Sequence, residues 1–182
     1  RDFKNESSTI PGHQQSAIYK QRISLESGSY KLVPKLSPNA VKDQLVALSP
    51  IVDDSLDYIS SSDEHTAQLS REERQNQALN KGFPIRWIYT GLPNGLLINY
   101  PGMGKLSDDY DVGTRFWFKN AQEQNKLFWS SPYLDLFGQG LVVSAIKPLR
   151  NKQGEFVGAS AIDLTRPGSA PPSGPSPASA PP

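Results

Sequence analysis

Two strand-like runs flank a Pro-Asn-Gly turn: Ile85-Arg-Trp-Ile-Tyr89, Pro93-Asn94-Gly95, then Leu96-Leu-Ile-Asn-Tyr100. β-Branched and aromatic residues suit a pleated, half-buried surface, and Asn-Gly supplies the positive φ that a tight hairpin requires. Such a hairpin commits this part of the chain to an antiparallel sheet. Three more strand-like segments follow over 127–130, 141–149 and 155–164, and the Asn151-Lys-Gln-Gly154 turn joins the last two. Between the hairpin and these strands lie a Gly-rich acidic loop, 101–111, and a short helix expected over 114–126. The short connections predict an antiparallel sheet of five strands with helices packed on it, an α+β domain.

The helices precede the sheet. Val41, Leu45, Leu48, Val52, Leu56 and Ile59 recur at steps of three and four, which gives one apolar helical face. Ser37-Pro38 is suited to start that helix, and Pro50 is expected to kink or divide it. A second helix is predicted over 70–80, opened by the capping box Ser70-Arg-Glu-Glu73 and closed at Lys81-Gly82. Over 16–25 the pattern fits a helix or an extended stretch equally. The division that follows is an N-terminal extension over 1–36, a helical segment over 37–82, a sheet module over 83–166 and a tail over 167–182. That tail holds only Pro, Gly, Ser and Ala, too little apolar surface to offset ordering entropy, so a disordered or polyproline-like linker is expected.

Composition narrows the function. The chain has 182 residues, no cysteine and a formal net charge of +1. Disulfides, thiolate metal sites and a cysteine nucleophile are excluded. Interspersed charges give no footprint for nucleic acid or an anionic membrane surface. No apolar run approaches the roughly 18 residues that span a bilayer. The chain begins at Arg1 rather than Met and is read as a fragment of a longer protein. No cofactor is expected. Asp108, Asp109 and Asp111 offer oxygen ligands but lack the alternate spacing of a calcium loop, and His13 and His65 have no cysteine or second nearby histidine to complete a zinc site.

The chemistry concentrates between Tyr110 and Asp163. Tyr110-Asp-Val-Gly-Thr-Arg-Phe-Trp-Phe118 is followed by Trp129-Ser-Ser-Pro-Tyr133-Leu-Asp135 and by Gly158-Ala-Ser-Ala-Ile-Asp163. A free amino acid needs a cation for its carboxylate and an anion for its ammonium. The guanidinium of Arg115 presents a planar fork that grips a carboxylate with two hydrogen bonds. Asp163 and Asp135 can accept from an ammonium, and the faces of Trp117, Tyr110 and Tyr133 attract cations. Simpler readings exist for each residue. Trp117, Phe118, Phe116 and Trp129 could be core, Arg115 could pair with Asp108, Asp109 or Asp111, Asp135 could start a turn, and Asp163 could sit at an exposed strand end.

This arrangement resembles the Cache family of extracellular, PAS-like sensor domains. The resemblance runs from Trp87-Ile-Tyr89 through Asn94-Gly95, Tyr100-Pro101, Tyr110-Asp111, Arg115-Phe-Trp117-Phe118, Ser131-Pro-Tyr133-Leu-Asp135 and Ser144–Pro148 to Gly154–Asp163. It implies a PAS-like α+β fold of the double-Cache type with N-terminal helices on a five-stranded antiparallel sheet. It also implies a binding module, not an enzyme: the periplasmic or extracellular part of a membrane chemoreceptor or sensor kinase, with a small amino acid or carboxylate as ligand. A homodimer is a candidate assembly. By resemblance, Arg115 and Trp117 hold the ligand carboxylate with Tyr110 in support, and Asp163 holds the amino group with Tyr133 and Asp135. Phe118 stands where the family carries a tyrosine, so one carboxylate-side hydroxyl is missing. The second, membrane-proximal module of double-Cache proteins is not seen before the Pro-rich tail. Two other classes remain open: a Cache-like interaction ectodomain without a small ligand, and an acid/base enzyme using Asp135 and Asp163.

Overall fold

The computed structural model describes residues 3–5, 10–61, 64–66, 68–104, 106–135 and 140–165, with the side chain of Asp53 excepted. Four short strands come first: β1 (Phe3–Asn5), β2 (His13–Ser16), β3 (Gln21–Ser24) and β4 (Gly28–Leu32). Three helices follow, α1 (Lys42–Leu48), α2 (Pro50–Ser60) and α3 (Arg71–Asn80). Then come β5 (Ile85–Gly91), β6 (Leu96–Tyr100), β7 (Gly102–Met103), α4 (Phe116–Glu123), β8 (Phe128–Trp129), β9 (Tyr133–Leu134), β10 (Leu141–Arg150) and β11 (Phe156–Thr165). The expected tail over 167–182 lies outside the described residues.

Local chemistry accounts for most boundaries. Pro50 divides the apolar helical repeat into α1 and α2, as its missing N–H dictates. The Ser70/Glu73 capping box forms in both directions, and Gly82, at φ 75°, lets the chain leave α3. In the hairpin, Gly95 takes φ 93° and its amide bonds to the Leu92 carbonyl, so Leu96 returns in register with β5. Over 16–25 the chain resolves into a turn and β3, because Ile23 pairs with Met103 of β7 rather than continuing a helix.

The five predicted strands form the centre of the main sheet, in the order β6-β5-β11-β10-β8, all antiparallel. The sheet is larger than the five strands expected. β4 adds to β6, β1 adds to β4 in parallel, and β9 pairs with β10. The polar composition of 1–36 hid β1 and β4, which join the sheet through the pairing of β4 with β6 rather than by their own pattern. β2, β3 and β7 form a separate three-stranded sheet.

Cross-strand pairs share a face, so the register assigns each residue. Trp87, Tyr89 and Gly91 of β5 stand beside Asp163, Ala161 and Ala159 of β11, which stand beside Ser144, Ile146 and Pro148 of β10. The small residues Gly91, Ala159 and Ala161 leave room for α4, which packs on β10 and β11 through buried Trp117 and Phe118. Full burial of each such side chain contributes about 1.5–3 kcal/mol. Ile88, Thr90 and Ile98 belong to the opposite face, where α2 meets β5 through Ile51.

Candidate functional site

Asp163 is the centre of the α4-facing side. It lies in the middle of the sheet, is 5 % exposed, and takes three hydroxyls on one carboxylate oxygen. Ser144 Oγ donates at 2.6 Å, the Tyr89 hydroxyl at 2.8 Å and the Tyr133 hydroxyl at 3.3 Å. The Tyr133 hydroxyl is also 2.8 Å from Ser144 Oγ, so its single proton is shared between Ser144 Oγ and the Asp163 carboxylate. Burial pushes the Asp163 carboxyl above its ordinary range, and the three hydroxyls pull it back part of the way. Tyr89 and Tyr133 are raised in turn, by burial first and by the neighbouring carboxylate second. No Lys or Arg pairs with Asp163 among the described residues. It is an anion held by neutral groups, not an ion pair.

The cationic end is built by α4. Asp111 accepts from the Gly113 amide at 2.8 Å and turns the chain through Val112–Thr114. Arg115 then caps α4, its carbonyl receiving the Phe118 and Lys119 amides. Its guanidinium lies 5.4 Å from the centre of the Tyr110 ring. None of the nearby aspartates takes it: Asp111 caps the turn, Asp109 receives the Ser107 hydroxyl, and Asp108 faces Lys31 Nζ at 4.0 Å. Among the described residues Arg115 has no carboxylate partner.

Tyr110 and Trp117 connect the two ends. Burial raises the Tyr110 phenol, while Arg115 and a hydrogen bond from Trp117 lower it, and Asp163 acts on it as well. Tyr110 is thus within electrostatic reach of both charges. Trp117 stands edge-on to Tyr89, with ring centres 4.9 Å apart, so the same indole touches the Asp163 cluster. Tyr133 packs edge-on against Phe116 at 5.3 Å.

Five of the seven residues singled out in the sequence, Tyr110, Arg115, Trp117, Tyr133 and Asp163, therefore share one region. The other two stand apart. Phe118 is buried against Trp117 and Phe156, with ring centres 5.5 and 5.3 Å away, and its ring belongs to the core. Asp135 follows β9, its amide donating to the Gly140 carbonyl, and its charge acts on Tyr133 and on Arg86. Tyr89 and Ser144 were given no role by sequence, although both contact Asp163. The signal was available for Ser144, a polar residue inside the apolar run Leu-Val-Val-Ser-Ala-Ile. For Tyr89 only the register shows it, by placing residue 89 on the face of Asp163. Trp129, a candidate core residue, is 60 % exposed. Among the described residues no cluster of His, Asp and Glu could hold a metal.

Residues 97–166 match the family model of the first PDC sensor domain of methyl-accepting chemotaxis protein-like proteins. The chain is also similar to methyl-accepting chemotaxis protein McpC of Bacillus subtilis (strain 168), 23 % identical over 127 residues, which is 68 % of this chain and 19 % of that protein. Among solved structures it is similar to the ligand-binding domain of the Pseudomonas aeruginosa PAO1 amino acid chemoreceptor PctB in complex with L-Arg. That similarity is 23 % identity over 69 % of this chain and 51 % of the other, with a TM-score of 0.41. A second is the ligand-binding domain of the Pseudomonas fluorescens chemoreceptor CtaA in complex with L-serine, 18 % identical over 70 % and 53 % of the two chains, TM-score 0.41. The chain thus spans about half of these solved domains and about a fifth of the curated relative.

Proposed function

From a chain whose residues 97–166 are a sensor domain of the PDC, or Cache, type, we propose the ligand-binding part of a membrane chemoreceptor, facing the periplasm or cell exterior. Its ligand is a small amino acid or related carboxylate. The observation that carries this reading is the pair of charges around Tyr110: a buried carboxylate without a cation and a guanidinium without a carboxylate, each among the described residues. Unpaired charges in a partly dry region are costly, and a zwitterion bridging Arg115 and Asp163 satisfies both. Arg115, with Trp117 and Tyr110, takes the ligand carboxylate. Asp163 takes the ammonium, with the Tyr89, Tyr133 and Ser144 hydroxyls orienting it. This is a binding module, not a catalyst. Binding acts by biasing a two-state arrangement of the attached signalling parts.

A second reading rests on one observation. Three hydroxyls already satisfy the facing oxygen of Asp163, as they would in a Cache-like interaction domain that binds no small molecule.

A thermal-shift screen against amino acids, small carboxylates and amines separates the two. A ligand at about a hundred times its Kd stabilises by roughly 2.7 kcal/mol, which is several degrees for a domain of this size. Arg115→Ala is expected to abolish the shift at an unchanged apo melting temperature, since losing such a partner costs about 2–5 kcal/mol of binding. Asp163→Asn is expected to remove binding of amine-bearing ligands while sparing plain carboxylates. An Arg115→Ala variant that retains full affinity sinks the site assignment. A flat response across the panel leaves the interaction-domain reading.

A further inference from the structure

The three hydroxyls around Asp163 all meet the same atom. Ser144 Oγ at 2.6 Å, the Tyr89 hydroxyl at 2.8 Å and the Tyr133 hydroxyl at 3.3 Å lie against Oδ1, and among the described residues Oδ2 has no hydrogen-bond partner. A carboxylate oxygen accepts through two lone pairs, and Ser144 and Tyr89 occupy both on Oδ1. Burial raises the Tyr89 and Tyr133 phenols, so both keep their protons and go on donating. A proton that joins Asp163 therefore sits on Oδ2. An ammonium group that pairs with Asp163 needs that same oxygen.

The groups on the neighbouring elements leave the exchange to Asp163. On β5, Tyr89 faces it, while the Arg86 guanidinium stands 6.0 Å from the centre of the Tyr19 ring. On β10, Ser144 faces it, Lys147 pairs with Ser160 on the opposite face, and Arg150 is bound to the Gln122 and Gln124 carbonyls. β9 brings Tyr133, and the charge of Asp135 acts on that tyrosine. From the α4 side Tyr110 lies within electrostatic reach of Asp163 and beside Arg115, and Lys119 and Glu123 are exposed. His13 is in β2 and His65 lies between α2 and α3, so neither histidine is on these elements. At 5 % exposure, an ionised Asp163 in the empty site is a buried charge without a cation among the described residues. Such a charge is costly, and a proton on Oδ2 removes it.

We infer that a proton and the ligand's ammonium group exchange at Asp163 Oδ2, so that the site takes amino acids at neutral pH and turns toward their 2-hydroxy analogues as pH falls. This exchange deepens the amino-acid reading and rests on it. On binding, the Oδ2–H bond breaks, the proton passes to solvent, and the ammonium N–H groups take its place. The carboxyl end of the site is neutral before and after. With the proton retained, Oδ2 offers a hydrogen, which suits a hydroxyl oxygen; an ammonium has only donors and finds no acceptor there. The sign follows by linkage. Burial makes the folded chain hold this proton more tightly, and an ammonium favours the ionised form. Kd for an amino acid is therefore flat above the folded pKa of Asp163 and rises about tenfold per pH unit below it.

Two measurements test the exchange, one without ligand. In the first, infrared spectra of the ligand-free protein are recorded between about pH 4 and 7. Wild type is expected to show the C=O stretch of a protonated acid that titrates above the range of exposed aspartates and is missing from Asp163→Asn. Identical spectra for the two proteins overturn the proton on Asp163. In the second, Kd is measured by calorimetry between about pH 5 and 7, where the probes keep their own charges. The probes are L-alanine with L-lactate, and L-leucine with L-2-hydroxyisocaproate. As pH falls, the ratio in each pair is expected to move toward the hydroxy acid by up to about tenfold per pH unit. Asn at 163 cannot ionise, its carbonyl can accept the hydroxyls and its NH2 donates from the Oδ2 position, so Asp163→Asn is expected to bind the hydroxy acids without that pH dependence. A ratio that does not move with pH overturns the exchange. If no member of either pair binds at any pH, the small-amino-acid reading fails and the exchange falls with it, while the infrared titration still decides where the proton lies.

Discussion

Asp163 is a buried carboxyl held by hydroxyls, with no cation beside it among the described residues. Its carboxyl is raised chiefly by burial, so the folded protein holds that proton more tightly than the unfolded chain does. The sign follows by linkage. The stabilising contribution of Asp163 is complete below its unfolded pKa of 3.8 and is lost as pH rises through the higher folded value. Asn at 163 has no proton to lose and can accept the same hydroxyls. Melting curves of wild type and Asp163→Asn are therefore expected to lie closest near pH 4 and to separate above it, with the variant more stable at pH 7. A wild type that gains on the variant with rising pH would mean that the folded site favours the ionised carboxylate. The acid itself was legible in the sequence as a charged residue ending an apolar strand. Its three hydroxyl partners come from β5, β9 and β10, and no local pattern announces that they converge.

At the scale of elements, the seat of α4 decides where Arg115 and Trp117 stand. Gly91 lies beneath it, and a Cβ there would fall 2.5 Å from Val112 Cγ2 and 2.9 Å from the Trp117 ring. Gly91→Ala is expected to push α4 outward, lower stability by about 1–3 kcal/mol, and weaken ligand binding beyond what that stability loss explains. Denaturant titration paired with calorimetric binding separates the two effects; full affinity in a destabilised variant would show the seat to be structural only. Helices whose signals are local were readable in advance. The capping box at Ser70 and the break at Pro50 rest on contacts three or four residues apart. The placement of α4 depends on small residues at 91, 159 and 161, 70 positions apart at the extremes, and became visible only once those strands were in register.

For the whole molecule, the first 36 residues are tied into the sheet. β4 covers the edge of β6, the Tyr100 hydroxyl donates to the Leu25 carbonyl at 2.9 Å, the Met103 amide donates to Ser29 Oγ at 3.0 Å, and Tyr19 covers Trp87. We propose that residues 83–166 do not fold as a module without them. Deleting 1–36 is expected to abolish cooperative thermal unfolding and to cause concentration-dependent aggregation through the bared β6 edge, measured by calorimetry and light scattering. A sharp, reversible transition in the shortened protein would restore the sheet module as an independent unit. The sequence by itself determined the class of the fold, the five central strands, the helix starts and stops, and the residue types able to hold a zwitterion. Each of those rests on periodicity, a turn residue or a cap within a few positions. Only the tertiary structure decided that β1 and β4 extend the sheet, that Phe118 belongs to the core, that Tyr89 and Ser144 hold Asp163, and that Arg86 lies buried against Tyr19. Those outcomes depend on pairings between segments up to 74 residues apart, which are settled by strand register and burial, and a local pattern carries no information about either.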